Sequence, residues 1–292
     1  MKSKKITILD GSLGTELRKR GVRVTDYKSS IWSAFALIDD PDAVIELHED
    51  YINAGAEVIT VNNYSLTRKL LKREKMEDRL EELMLIAINL AKEARENSGK
   101  DILIAGSLPP LDTTYRADLV GTYDDNYGAY LEMASILAPL VDFLICETLT
   151  TSIEAKAAVM AARKVSKKVW VSFTLDPNGN KLRGGESIEK AIFNLKDLEI
   201  DAFLFNCSAI KPVTQTIPII KALVNVPIGV FANPVMVELG EGEPEILPTN
   251  PISPEEYAKM ANLWVDLGAT IIGGCCDTGP SHIKALSEAF KS

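Results

Sequence analysis

The chain has 292 residues, 46% hydrophobic and 25% charged, a globular make-up large enough to fold on its own core without disulfide staples. Its formal charge is −9 (32 basic against 41 acidic residues) and it holds no basic run, which argues against nucleic acid or an anionic membrane surface as a partner. No stretch approaches the roughly 18 uninterrupted apolar residues of a membrane helix. The first ten residues carry lysines but no apolar signal-peptide core, so a cytoplasmic protein with reduced cysteines is expected.

Short runs rich in Val, Ile, Leu and Phe predict strands at residues 6–9, 57–61, 102–105, 143–146, 169–173, 202–205, 228–231 and 270–272. They are nearly continuous in apolar residues, as expected of strands buried on both faces. Helical patterns follow them in turn, at 42–53, 75–96, 124–137, 153–165, 188–198, 213–223, 255–267 and 281–290. Ser253-Pro254-Glu255-Glu256 and Gly279-Pro280-Ser281 look like helix starts, where proline is tolerated. Eight strands alternating with eight helices predict an α/β protein, a (β/α)8 TIM barrel forming one domain over residues 1–292. The alternative is a doubly wound open sheet; the count of eight and the lack of a Gly-rich dinucleotide turn after the first strand favour the barrel.

Connections entering the strands are short, whereas residues 10–41, 106–123, 176–186 and 233–253 form long loops leaving them. Long loops in a compact domain are usually functional, and barrel enzymes build their sites at this rim. The strand ends there are polar: Asp10-Gly11, Asn62-Asn63, Glu147-Thr148, Asn206-Cys207, Asn233-Pro234 and Gly273-Gly274-Cys275-Cys276. Three of the four cysteines and two acids thus converge on one rim. Three thiols without a fourth suggest an open zinc site, since structural zinc takes four protein ligands and catalytic zinc leaves one position vacant. Adjacent cysteines can share an ion only in a turn, which the flanking glycines permit. The competing readings are a vicinal Cys275–Cys276 disulfide, disfavoured in the cytosol, and plain core packing. Cys146 reads as a core residue. His48 falls in a predicted helix and reads as structural or surface; His282 reads as packing near the Cys-Cys loop.

At these residues the sequence resembles the homocysteine S-methyltransferase family. The matching motifs are Asp10-Gly11-Ser12-Leu13-Gly14-Thr15, Ile31-Trp32-Ser33-Ala34, Glu147-Thr148 with Glu154-Ala155, Phe205-Asn206-Cys207 and Gly273-Gly274-Cys275-Cys276 with Pro280-Ser281-His282-Ile283. The resemblance implies Cys207, Cys275 and Cys276 as ligands of a Zn2+ cofactor. It also implies Asp10, Gly11, Glu147 and Thr148 as the homocysteine pocket, the carboxylates facing the substrate ammonium. For Asp10 and Glu147 the alternative is a helix cap or an ion pair.

No side-chain catalyst is expected, because the zinc-activated substrate thiolate is itself the nucleophile. Asn233 is the candidate fourth ligand when the thiol is absent, with a water molecule as the alternative. The expected product is methionine, with a sulfonium donor such as S-methylmethionine or S-adenosylmethionine. Alternatives are a methylcorrinoid on a separate protein, betaine (which would require an aromatic cage not locatable in the sequence), or a non-catalytic zinc–thiolate protein. Three departures from the family pattern leave the donor open: Asp277 in place of Gly, the loop 105–111, and Ser208-Ala209-Ile210.

Overall fold

A computed structural model describes residues 5–26, 30–234 and 251–291. Its eight strands are β1 (Thr7–Ile8), β2 (Val58–Thr60), β3 (Leu103–Leu108), β4 (Phe143–Leu149), β5 (Val169–Phe173), β6 (Ala202–Asn206), β7 (Ile228–Ala232) and β8 (Ile271–Gly274). All are parallel, each paired with its sequence neighbour, and β1 pairs with β8. Leu9 bridges Val58, and the Asp10 N–H donates to the Val58 carbonyl at 3.0 Å, which closes the ring. The fold is a TIM barrel, as the alternation predicted.

Side-chain alternation splits the apolar residues into two layers. Phe143, Ile145, Trp170, Leu204 and Ile271 fill the barrel interior. Leu144, Cys146, Val171, Phe205 and Ile272 point outward against the helices. Those helices are α1 (Leu13–Lys19), α2 (Ala36–Asp39), α3 (Pro41–Ala54), α4 (Arg68–Arg73), α5 (Leu80–Ser98), α6 (Tyr123–Leu137), α7 (Ser152–Val165), α8 (Ile188–Leu195), α9 (Ile210–Leu223), α10 (Pro254–Leu267) and α11 (Pro280–Lys291).

Three of these lie where no helix was expected. The first rim loop contains α1, started by the Ser12 hydroxyl accepting from Thr15 N–H; Gly14 inside it hid the helical pattern. It also contains α2. The helix expected over 75–96 begins only at Leu80; a separate turn of helix, α4, precedes it, and Lys75 between them is left-handed with φ 57°. No helix among the described residues is long and apolar enough to cross a membrane.

The bottom of the barrel repeats one device. Glu57, Asp142 and Asp201 each stand directly before an even-numbered strand. Their carboxylates accept the N–H of Ile8 (3.0 Å), Ile104 (2.7 Å) and Val169 (2.7 Å) on the preceding odd strand. Each acid also pairs with a base at a helix end: Lys291, Arg95 and Arg163 respectively. The free edge of each odd strand is thereby satisfied at the end that carries no chemistry.

Candidate active site

The opposite rim collects the residues singled out in the sequence. Asp10 follows β1; its Oδ2 accepts the Thr60 N–H from β2 at 2.7 Å. Burial pushes its pKa up to about 7, against the lowering effect of that hydrogen bond. Glu147 lies on β4, and its Oε1 accepts the Ser107 hydroxyl of β3 at 2.5 Å. Burial raises this carboxyl to about 8, with the Ser107 bond opposing. Ser107 is held in turn by Asn63, whose amide donates to the Ser107 carbonyl and accepts its N–H. Both carboxyls are thus raised by being buried without a countercharge.

Cys207 caps β6, and Cys275 and Cys276 follow β8; their Sγ atoms all lie within 4.8 Å of one another. The Cys-Cys turn closes through Thr278, whose N–H and hydroxyl both donate to the Cys275 carbonyl, at 3.1 and 2.5 Å. Its left-handed residue is Asp277, φ 63°, a conformation that aspartate adopts more readily than most non-glycine residues. Gly274 allows the turn to fold back: an added Cβ would lie 2.0 Å from Thr278 Oγ1. Gly11 has the same role from the other side, since its Cβ would meet the Thr278 carbonyl at 2.4 Å.

The three thiols share charge unequally. Hydrogen bonds from Cys275 and Cys276 hold the Cys207 thiol well below its ordinary pKa, with the Tyr115 and Thr148 hydroxyls contributing. Those same bonds to Cys207 push Cys275 and Cys276 up. Sulfurs about 2.3 Å from one zinc ion stand roughly 4 Å apart, inside the 4.8 Å span of the three; the Cys207–Cys275 pair, at 2.6 Å, would open by more than about 1 Å to admit the ion. Beside them, the Asn233 N–H donates to the Ser208 carbonyl at 2.9 Å, while its buried Oδ1 has no hydrogen-bond partner among the described residues. Three thiols this close to one another are a soft donor set that fits a metal ion.

Both acids and all three cysteines line one cleft, whose empty space is about 800 Å³ including its mouth. Four aromatic residues line it as well: Trp32, Tyr64, Tyr115 and Phe231. The sequence offered no place for such a set, because these residues come from four different loops and strand ends. Trp32 and Tyr115 both have left-handed backbones, φ 50° and 68°, which no local motif announces. The Tyr115 hydroxyl donates to the Cys207 carbonyl at 3.3 Å. Arg183 lies 5.1 Å above the Tyr115 ring.

Thr148 is fully buried, and its hydroxyl accepts the Asn206 amide at 2.7 Å. His282 sits outside the cleft, where Nδ1 accepts the Gly279 N–H and Nε2 meets the Ile252 carbonyl. His48 is wholly buried on α3 and neither ring nitrogen has a partner among the described residues. Cys146 is core, its thiol pushed far up by burial.

The sequence model of the family described as homocysteine S-methyltransferase matches residues 7–290. Homocysteine S-methyltransferase 1 of Arabidopsis thaliana is 30% identical over 314 residues, covering 97% of this chain and 93% of that protein. The homocysteine S-methyltransferase of Escherichia coli (strain K12) is 29% identical over 303 residues, covering 96% and 94%. Among solved structures, the metallated form of the Escherichia coli homocysteine methyltransferase MmuM aligns with a TM-score of 0.81 at 27% identity, covering 98% of this chain and 96% of that one. With its barrel, its rim of thiols and acids, and these matches along nearly its whole length, the chain belongs to the homocysteine S-methyltransferase family and is a methyltransferase.

Proposed function

We propose that this enzyme transfers a methyl group to the thiolate of homocysteine, giving methionine, at a zinc ion held by Cys207, Cys275 and Cys276, from a sulfonium donor such as S-methylmethionine or S-adenosylmethionine. The observation that carries the reading is the shared cleft: three thiols and two buried carboxylates face the same space.

Asp10 and Glu147 bind the substrate ammonium, and Gly11 leaves room for the amino-acid backbone. Zinc, when bound, lowers the pKa of the substrate thiol so that it is held as a thiolate. Asn233 would offer the metal a neutral oxygen ligand when no thiol is bound. The faces of Trp32, Tyr64, Tyr115 and Phe231 suit a cationic methyl donor, because a positive charge is attracted to an aromatic face. In the transfer, the homocysteine sulfur forms a bond to the methyl carbon as the donor's sulfur–methyl bond breaks, and the donor leaves as a neutral thioether. No proton moves in that step, so the absence of histidine from the cleft is no obstacle.

The test is methyl transfer to homocysteine assayed with S-methylmethionine, S-adenosylmethionine, betaine and methylcobalamin. Methionine formed fastest from a sulfonium compound is expected. Preference for betaine or the corrinoid would reassign the donor, and no transfer from any of them would defeat the reading.

A further inference from the structure

Asn206 ends β6 with its side chain completely buried. Its Oδ1 accepts the Thr148 N–H at 3.0 Å and the Ser172 hydroxyl at 2.6 Å, and its Nδ2 donates to the Thr148 hydroxyl at 2.7 Å. One amide therefore joins the ends of three strands, β4, β5 and β6.

The two chain positions that it controls are both strained. Thr148 has φ 60° and Cys207 has φ 47°. Left-handed backbone is disfavoured for a non-glycine residue, most of all for a β-branched one, and persists only where surrounding contacts impose it. The β4–β5 register shifts between Cys146 and Leu149. Cys146 and Leu149 both join the outer apolar layer, although strict alternation would send them to opposite faces. Thr148 is thus the extra residue of a bulge directly after Glu147, which alternation with Phe143 and Ile145 already turns into the barrel.

Glu147 is the chain neighbour of Thr148, and Cys207 is the chain neighbour of Asn206. The amide is consequently the short link between the Glu147 carboxylate and the Cys207 thiol. We propose that Asn206 is a positioning residue that fixes the separation between Glu147 and Cys207, and that this separation makes the site select the chain length of its thiol substrate. The inference rests on the reading above, in which the substrate ammonium meets Glu147 and Asp10 and its sulfur meets the metal that Cys207 would help to hold. An amino acid held at both ends must span a set distance. Homocysteine has one methylene more than cysteine, and a rigid site separates compounds differing by one methylene by roughly 10- to 200-fold. Ser107 tethers Glu147 from the other side, so loss of the Asn206 link loosens the spacing without releasing the acid.

The experiment measures dissociation constants of L-homocysteine and L-cysteine for zinc-loaded wild type, Asn206→Ala and Ser172→Ala, with metal content and Tm recorded for each. The wild type should prefer homocysteine by roughly tenfold or more. Asn206→Ala should keep its metal while the homocysteine-to-cysteine ratio falls toward one. Ser172→Ala, which removes the bond that orients the amide oxygen, should lower the ratio by a smaller factor and carries the test if Asn206→Ala does not fold. A role confined to stability would lower Tm and weaken both thiols equally, leaving the ratio where it was. Intact homocysteine binding with an unchanged ratio overturns this inference alone. A wild type that binds neither thiol overturns the functional reading and this inference with it.

Discussion

The Ser107 hydroxyl donates to Glu147 Oε1 at 2.5 Å, and Glu147 lines the cleft together with Asp10. Glu147 thus has one protein hydrogen bond in place before a ligand arrives, and Asp10 has the Thr60 N–H and, more weakly, the Thr60 hydroxyl. A glutamine or asparagine would keep that bond through its carbonyl oxygen and lose only the charge. Glu147→Gln and Asp10→Asn should therefore fold and retain metal, but bind homocysteine more weakly by about 1.5–3 kcal/mol each, the worth of a charge-assisted hydrogen bond. Titration calorimetry on the zinc-loaded proteins measures this. Unchanged affinity in both variants would return the two acids to a structural role.

The same burial sets a proton count. Asp10 is raised to about 7 and Glu147 to about 8, so at pH 7 Glu147 holds its proton and Asp10 is about half protonated. Pairing with an ammonium requires the ionised form, so binding releases those protons in addition to the thiol proton. Homocysteine affinity should rise with pH between about 6 and 9, since fewer protons have to leave. Calorimetry at pH 7 in two buffers of different ionisation enthalpy should find fewer protons released by Glu147→Gln than by wild type. Equal release would show that Glu147 is already charged in the free enzyme.

Metal content should depend on all three thiols. Alanine at Cys207, Cys275 or Cys276 should each remove most of the zinc and all methyl transfer, and full retention in a Cys275→Ala/Cys276→Ala protein would sink the assignment. Cobalt in place of zinc should give the intense thiolate charge-transfer absorption of a sulfur-rich site. Asn233→Ala, which deletes the orphaned Oδ1, should weaken metal binding in the absence of thiol and matter less once homocysteine is present. Equal metal affinity in that variant, with and without thiol, would favour water as the displaced ligand.

Away from the site, His48 carries its own pH dependence. Burial lowers its pKa from 6.5 to about 4, so the folded protein keeps it neutral while the unfolded chain protonates it. Its contribution is full above pH 6.5 and is lost as pH falls toward 4, a loss of up to about 3 kcal/mol at about 1.4 kcal/mol per pKa unit. His48→Leu removes the titrating group, so denaturant unfolding at pH 5 and pH 7.5 should show a smaller stability difference than in wild type. An unaltered difference would mean that other groups drive the acid loss.

Much of the architecture was legible because it rests on local patterning. Strand and helix periods differ, and eight alternations read directly as a barrel. The cysteines and acids were legible because parallel strands end on one rim, so residues such as Asp10, Glu147, Cys207 and Cys275 that finish strands must meet. The acids below the barrel, Glu57, Asp142 and Asp201, share one sequence signal, an acid directly before the second, fourth and sixth strands.

Other features depended on contacts between distant segments. The helix α1 was missed because Gly14 weakens its local signal, while Gly14 is required by the indole of Trp32, which would stand 2.0 Å from an added Cβ. Tyr64, Tyr115 and Phe231 are ordinary aromatics in the sequence and become a cleft wall only once three loops close over one rim. Thr148 reads as the partner of Glu147 in a motif, yet its left-handed turn and the register shift in β4 are imposed by Asn206, 58 residues away. Strand order and the chemistry of the strand ends follow from the chain's own pattern, since periodicity and side-chain type are local properties. The spacing and direction of those groups come from contacts across the fold, because buried hydrogen bonds between distant segments hold backbone conformations that no short segment would adopt alone.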